Sequence, residues 1–267
     1  MCCKRRRWTL TGSRVGMSEL RAPIAEVFSS LAGEGPRVGE RQLFLRTAGC
    51  PLECVYCDTP TDPTRPCLVE DPPGSGVQRA YENPLGAATV LELLRRLHEA
   101  FPGHRRLALT GGEPLLHTDF LLELLPGVEA DLGLPVHLEY SGALPAELER
   151  LLPYCAAVSC DVKPPSLAGR DLSAATRRSL ELCVAAGVEL SLKVIFGRDS
   201  SWEELVAGLE LARGAAPGVG VILQPVHGPG GLPDLSGPEL LETLIRASRL
   251  QHDVRLIPQV HKLLAVR

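Results

Sequence analysis

The sequence predicts an α/β fold, a curved and incomplete (β/α)6 barrel similar in plan to a TIM barrel but with fewer strands. Three observations predict it. From Gln42 onward, six short strand-like apolar stretches alternate with helix-period ones, and that alternation implies parallel strands joined by right-handed crossovers. The polar and glycine residues collect at the carboxyl ends of those strands: the loop after Thr47, the Gly111-Gly112-Glu113 turn, Glu139 to Gly142, Asp161 to Lys163, and Gln224. An open doubly wound sheet would also alternate, but chemistry gathered on one rim is the habit of barrels. Finally, 267 residues that are 45% hydrophobic suit one domain with a sizeable core.

The elements follow in order. Ile24 to Phe28 reads as a short strand, broken by the loop Gly33-Glu34-Gly35-Pro36. Gln42 to Thr47 is a strand with Leu43 and Leu45 on one face and Phe44 and Arg46 on the other. Residues 60–84, rich in Pro, Gly and Asp, predict a long irregular insertion, a lid or a disordered segment. Ala87 to Ala100 is a helix on the spacing of Val90, Leu93, Leu94 and Leu97. Strands then fall at 106–109, 136–140, 156–160, 188–195 and 219–224, with helices at 118–129, 145–152, 173–186, 201–213 and 238–250. Residues 1–20 are expected to be a disordered N-terminal extension, and 21–267 a single domain.

A net charge of −4 gives no field to gather nucleic acid. Lys4-Arg5-Arg6-Arg7 is the one basic run, on the N-terminal tail beside Cys2 and Cys3. No apolar signal region follows it, and no stretch is long enough to cross a bilayer. A cytoplasmic protein with reduced thiols is expected, without membrane or nucleic-acid partners. Cys155, Cys160 and Cys183 sit in apolar patterns and read as buried small hydrophobes. His98, His104, His117 and His252 show no ligand spacing and read as surface or structural.

Cys50, Cys54 and Cys57 are spaced C-x3-C-x2-C. Three soft thiolates so close suit an iron–sulfur cluster, zinc or copper(I). A closed zinc site wants four ligands, and the nearest further candidate is Cys67, in a Pro-rich stretch. Three ligands on a four-iron cluster would leave one iron open.

That spacing resembles the signature of the radical S-adenosylmethionine (SAM) enzymes. Further stretches resemble one family among them, the 7-carboxy-7-deazaguanine synthases: Glu26 to Gly35, Phe44-Leu45-Arg46, Cys57-Asp58-Thr59, Thr110 to Pro114, Asp161 to Ser166, Leu223-Gln224-Pro225 and Pro258 to Lys262. The resemblance implies a partial six-stranded barrel of the radical SAM type and a 4Fe-4S cluster on Cys50, Cys54 and Cys57. It also implies Mg2+ on Thr59. SAM would be held by Tyr56, Asp58, Gly112, Glu113, Glu139, Ser141, Asp161, Val162 and Lys163. The substrate would meet Leu31, Ala32, Gly33, Glu34, Arg46, Thr110 and Gln259. The activity implied is a lyase converting 6-carboxy-5,6,7,8-tetrahydropterin to 7-carboxy-7-deazaguanine with loss of ammonia, for queuosine and 7-deazaguanine biosynthesis. A homodimer and an external electron donor such as flavodoxin or ferredoxin are implied too.

Three places depart from the family pattern. Ala32 stands where Gln is usual, Tyr140-Ser141 where Thr-Asn or Thr-Gln is usual, and Asp161-Val162 where Ser-Pro is usual. Each residue also has an ordinary reading. Two glycines before Glu113 could form a plain turn, and Asp58-Thr59 could cap one. Arg46, always charged, needs an anion: a substrate carboxylate, or Glu34 or Glu53. Lys193 and Gln224 are rim residues that could serve either purpose. Another radical SAM reaction, such as glycyl-radical activation of a partner, and a non-catalytic zinc module remain as alternatives.

Overall fold

The computed structural model describes residues 20–228 and 230–266. The expected extension, with Cys2, Cys3 and the basic run, lies outside the described residues. The chain begins with β1 (Arg21–Ala22), β2 (Ile24–Leu31), a 3-10 turn over Gly35–Arg37, and β3 (Arg41–Thr47). Next come β4 (Cys67–Glu70), β5 (Gln78–Tyr81), β6 (Leu85–Gly86) and α1 (Ala87–Ala100). β7 (Leu107–Gly111), α2 (Thr118–Leu132), β8 (Val136–Tyr140), α3 (Pro145–Leu151) and β9 (Cys155–Val162) continue the alternation. It finishes with α4 (Pro165–Ala168), α5 (Ser173–Ala186), β10 (Glu189–Phe196), α6 (Trp202–Ala215), β11 (Val221–Pro225), α7 (Gly237–Ala247), β12 (Val254–Leu256) and α8 (Val260–Leu263).

Ten strands form one sheet among the described residues, ordered β12-β11-β10-β9-β8-β7-β3-β2-β4-β5. From β3 through β12 neighbours are parallel, as expected, while β2 runs antiparallel to β3. Strand period then sorts the side chains. Leu45, Leu109, Leu138, Val158, Leu192 and Leu223 point to the helices and are fully buried in the main core, each contributing about 1.5–3 kcal/mol of transfer energy. Arg46, Thr110, Glu139, Asp161, Lys193 and Gln224 point the other way and line one cavity. The helices cover the apolar face: Val90, Leu93, Leu94 and Leu97 of α1 are buried as their spacing requires. α6 starts on a reciprocal Ser201–Glu204 capping box.

Four expectations need correction. Residues 60–84 are not irregular throughout, because β4 and β5 form an antiparallel pair whose β4 also pairs with β2. The cause is local: Cys67 and Val69 alternate inward and are buried, and the flanking Asp71 carboxylate accepts from Tyr81 Oη at 2.7 Å and Arg96 Nη2 at 2.6 Å. Cys67 is thereby removed from the candidate ligands, since it sits in the core with its thiol pushed up to about 12 by burial. β2 runs on to Leu31, held along its length by β3. Last, β12 adds a short seventh parallel strand beyond the six expected. Cys155, Cys160 and Cys183 are buried, as read. No described helix is long and apolar enough to cross a membrane.

Candidate active site

The loop after β3 is fastened to the turn after β7. Gly112 N donates to Thr47 O at 3.1 Å and Glu113 N to Gly49 O at 2.8 Å. A Cβ on Gly112 would stand 2.1 Å from Gly49 O and 3.1 Å from Cys50 Cβ, so only glycine permits this approach. Farther along, Val55 N donates to Leu167 O at 3.1 Å, and Leu52 packs on Ala168 and Leu172, seating the cysteine loop on α4. Cys50, Cys54 and Cys57 consequently open onto one cavity of about 330 Å³.

Those thiols fit a cluster by the chemistry of the donor set. Three soft sulfurs share one space, and the other described cysteines are buried. No group of three Cys, His, Asp or Glu among the described residues stands ready to hold a single metal ion. Burial pushes the Cys50 and Cys54 thiols above their ordinary range, so loading must displace protons.

An ionic chain crosses the cavity floor. Gln259 Nε2 donates to Glu34 Oε1 at 2.6 Å, and Lys193 Nζ donates to Glu34 Oε2 at 2.6 Å. Lys193 Nζ also lies 2.9 Å from Asp161 Oδ1, while Lys163 Nζ donates to Asp161 Oδ2 at 2.6 Å and to Tyr56 Oη at 3.0 Å. Burial alone would raise the Glu34 and Asp161 carboxyls. The lysine charges override it and hold both below their usual range. Burial would likewise lower Lys163 and Lys193, yet the facing carboxylates hold them above the usual lysine range. For Glu139 burial wins over the Lys193 charge, and its carboxyl is raised.

At the opposite wall Arg46 Nε lies 3.3 Å from Glu26 Oε2, and Arg46 Nη1 donates to Thr59 Oγ1 at 3.5 Å. The partner is Glu26, not the Glu34 or Glu53 considered from sequence. The guanidinium stands 5.6 Å from the centroid of Phe28, whose ring stacks on Phe44 at 4.8 Å. The C-terminal segment closes the mouth: Val260 N donates to Gly33 O at 2.8 Å, and Lys262 Nζ pairs with Asp58 Oδ2 at 2.5 Å. Gly33 must be glycine, because a Cβ there would fall 2.1 Å from the His261 ring.

Leu31, Gly33, Glu34, Arg46, Tyr56, Asp58, Thr59, Thr110, Gly112, Glu139, Ser141, Asp161, Lys163 and Gln259 all line this cavity with the three cysteines. Three expected side chains do not. Ala32 is buried and is not part of the cavity lining. Val162 faces a groove on the helix side with Val194 and Gly208, because strand alternation turns it away from Asp161. Glu113 is fully buried beneath the rim, its carboxylate accepting from Leu115 N and Ser141 N, both at 3.1 Å, and from Ser141 Oγ. Burial pushes this carboxyl up to about 7 against those hydrogen bonds. It ties the β7 and β8 turns together. Phe28, Phe44, Glu26 and His261 also line the cavity and were not singled out. Alternation in β2 and β3 carried the signal for the first three, but nothing in it separates a cavity face from a core face.

This arrangement is the site of a radical SAM enzyme. The Radical SAM superfamily pattern matches residues 44–244, so the chain belongs to that superfamily. Within it, the chain belongs to the 7-carboxy-7-deazaguanine synthase family. It is 36% identical to the 7-carboxy-7-deazaguanine synthase of Geobacter sulfurreducens, over 92% of this chain and 98% of that one. The Methanothermobacter thermautotrophicus enzyme of the same name is 31% identical over 93% of this chain and 99% of its own. Among solved structures, QueE from Escherichia coli shares the fold, with a TM-score of 0.55 at 22% identity over 90% of this chain and 95% of that one. Streptococcus suis SuiB bound to S-adenosylmethionine also shares it, at TM-score 0.52 and 12% identity over 79% of this chain and 48% of that one.

Proposed function

We propose that this chain is a radical SAM lyase that converts 6-carboxy-5,6,7,8-tetrahydropterin to 7-carboxy-7-deazaguanine, releasing ammonia, in queuosine and 7-deazaguanine biosynthesis. The observation that carries it is one cavity that holds three thiols together with an arginine and a threonine suited to an anionic, flat heterocycle. The zinc-module alternative is set aside, because the family is that of radical SAM enzymes and, among the described residues, the cysteines outside the trio are buried.

Cys50, Cys54 and Cys57 would hold a 4Fe-4S cluster whose open iron takes SAM. When bound, that group supplies the electron that cleaves SAM to a 5′-deoxyadenosyl radical. The chain's own residues do the rest. Gly112 brings bare backbone against SAM, with Tyr56, Asp58, Glu139, Ser141, Asp161 and Lys163 around it. Leu31, Gly33, Glu34, Thr110 and Gln259 orient the pterin, and Arg46 takes its carboxylate. Thr59 would offer an oxygen to Mg2+, a hard cation suited to an oxygen donor beside an anionic substrate. The Gln259 and Lys262 contacts close the cavity and exclude water from the radical. The net conversion loses ammonia and would leave SAM regenerated. We infer a homodimer, a flavodoxin or ferredoxin as electron donor, and a cytoplasmic setting where thiols stay reduced.

The test is anaerobic turnover of cluster-loaded protein with reductant, SAM, Mg2+ and the carboxypterin, followed by chromatography. Release of 7-carboxy-7-deazaguanine is expected. 5′-Deoxyadenosine without deazapurine would point to another radical SAM reaction instead.

A further inference from the structure

We propose that Lys193 is a positioning residue that fixes the substrate half of the cavity to the SAM half, so that a bound pterin is presented in register with the radical. The inference rests on the proposed function and deepens it. Neither the spacing of the sequence nor the family resemblance assigns Lys193 a role.

The observation is the connectivity of the ionic chain. Its substrate end is Gln259 and Glu34, and its SAM end is Asp161, Lys163 and Tyr56, the last lying between Cys54 and Cys57. Lys193 is the one link between the two ends, at 2.6 Å from Glu34 and 2.9 Å from Asp161. These carboxylates come from separate strands' ends, the loop after β2 and the tip of β9, and no other described side chain pairs with both. Both are acidic, so without an ammonium between them they repel, and Glu139 adds a third carboxyl nearby.

The fold does not need a lysine there. Leu192 and Val194 on either side pack into the main core, while the Lys193 side chain is 5% exposed on the cavity side. An ammonium buried there costs more desolvation than an apolar side chain of equal length. Such a charge is best explained by what it orients. Hydrogen abstraction tolerates little misplacement, since a shift of about 1 Å can cost on the order of a hundredfold in rate. A pterin held by Glu34 but out of register would leave the deoxyadenosyl radical to be quenched as free 5′-deoxyadenosine, with no deazapurine formed and SAM consumed rather than regenerated. The electron for that quenching comes from the external reductant and the proton from solvent.

The discriminating experiment uses the cluster-loaded enzyme with Lys193→Met and Lys193→Arg. For Lys193→Met, KM for the carboxypterin should rise about tenfold or more, and 5′-deoxyadenosine released per deazapurine about fivefold or more. Iron content and SAM affinity measured without pterin should stay within about threefold of wild type, because Asp161 keeps Lys163. Lys193→Arg, which keeps the charge, should recover part of both losses. Wild-type KM and product ratio in Lys193→Met would overturn the inference, as would a Lys193→Arg enzyme no better than Lys193→Met. If Lys193→Met fails to load iron, a double-mutant cycle of Gln259→Ala with Tyr56→Phe decides. Non-additive effects on the product ratio support the chain, and additive ones refute it. Failure of the wild-type enzyme itself to form deazapurine would instead sink the proposed function.

Discussion

Arg46 meets its charge requirement twice over, from Glu26 at 3.3 Å and from the aromatic face of Phe28. It can therefore remain in the cavity before substrate arrives, pre-organised for a planar carboxylate. Arg46→Ala should raise KM for the carboxypterin by about ten- to a hundredfold, the loss of a charged hydrogen bond; unchanged steady-state kinetics would remove Arg46 from the substrate site. A second residue-scale effect concerns stability. His137 is buried on the inner face of β8, its Nε2 2.8 Å from Ser159 Oγ, and burial pushes its pKa down to about 3. The unfolded imidazole takes a proton near pH 6.5 while the folded one does not, so stability is full above that pH and is lost as pH falls toward 3. Between pH 7 and 5 this one group should cost about 2 kcal/mol. His137→Gln should flatten that part of the pH profile of urea unfolding, and a profile as steep as wild type would show that other groups dominate.

Two elements show how local structure builds the site. The turn after β7 works through a missing side chain, since a methyl at Gly112 would displace the Gly49 carbonyl and the Cys50 loop with it. Gly112→Ala should lower the iron bound per chain, read by absorbance after anaerobic reconstitution, while far-ultraviolet circular dichroism stays as in wild type. The β4–β5 hairpin is held differently. Asp71, 8% exposed, ties it to α1 through Arg96. None of its residues lines the cavity. Asp71→Ala should lower the unfolding free energy by loss of the Arg96 and Tyr81 contacts, with kcat/KM nearly unchanged. A large fall in activity at wild-type stability would mean that the hairpin serves the reaction.

At the scale of the whole molecule, the apolar core and the cavity occupy opposite faces of one sheet. The main core lies between sheet and helices, and the cysteine loop rests on its own small cluster of Leu52, Ala168 and Leu172. Stripping iron with a chelator should therefore abolish turnover and the visible absorbance while leaving most secondary structure, as circular dichroism would report. Global unfolding on chelation would show that the cluster supports the fold. The sequence by itself determined the cysteine trio, the alternation from Gln42 and the rim at the strand ends, because ligand spacing and 2.0 against 3.6 periodicity are local properties of the chain. It could not tell which face of β9 meets the cavity, so that Asp161 rather than Val162 enters it, that Glu113 is spent on Ser141, or that Glu26 rather than Glu34 answers Arg46. Nor could it join Gln259 to Glu34, or Lys193 to both halves of the site. Those pairings bring together residues far apart in the chain, and only the curl of the sheet, which decides which side chains share an interior, could make them.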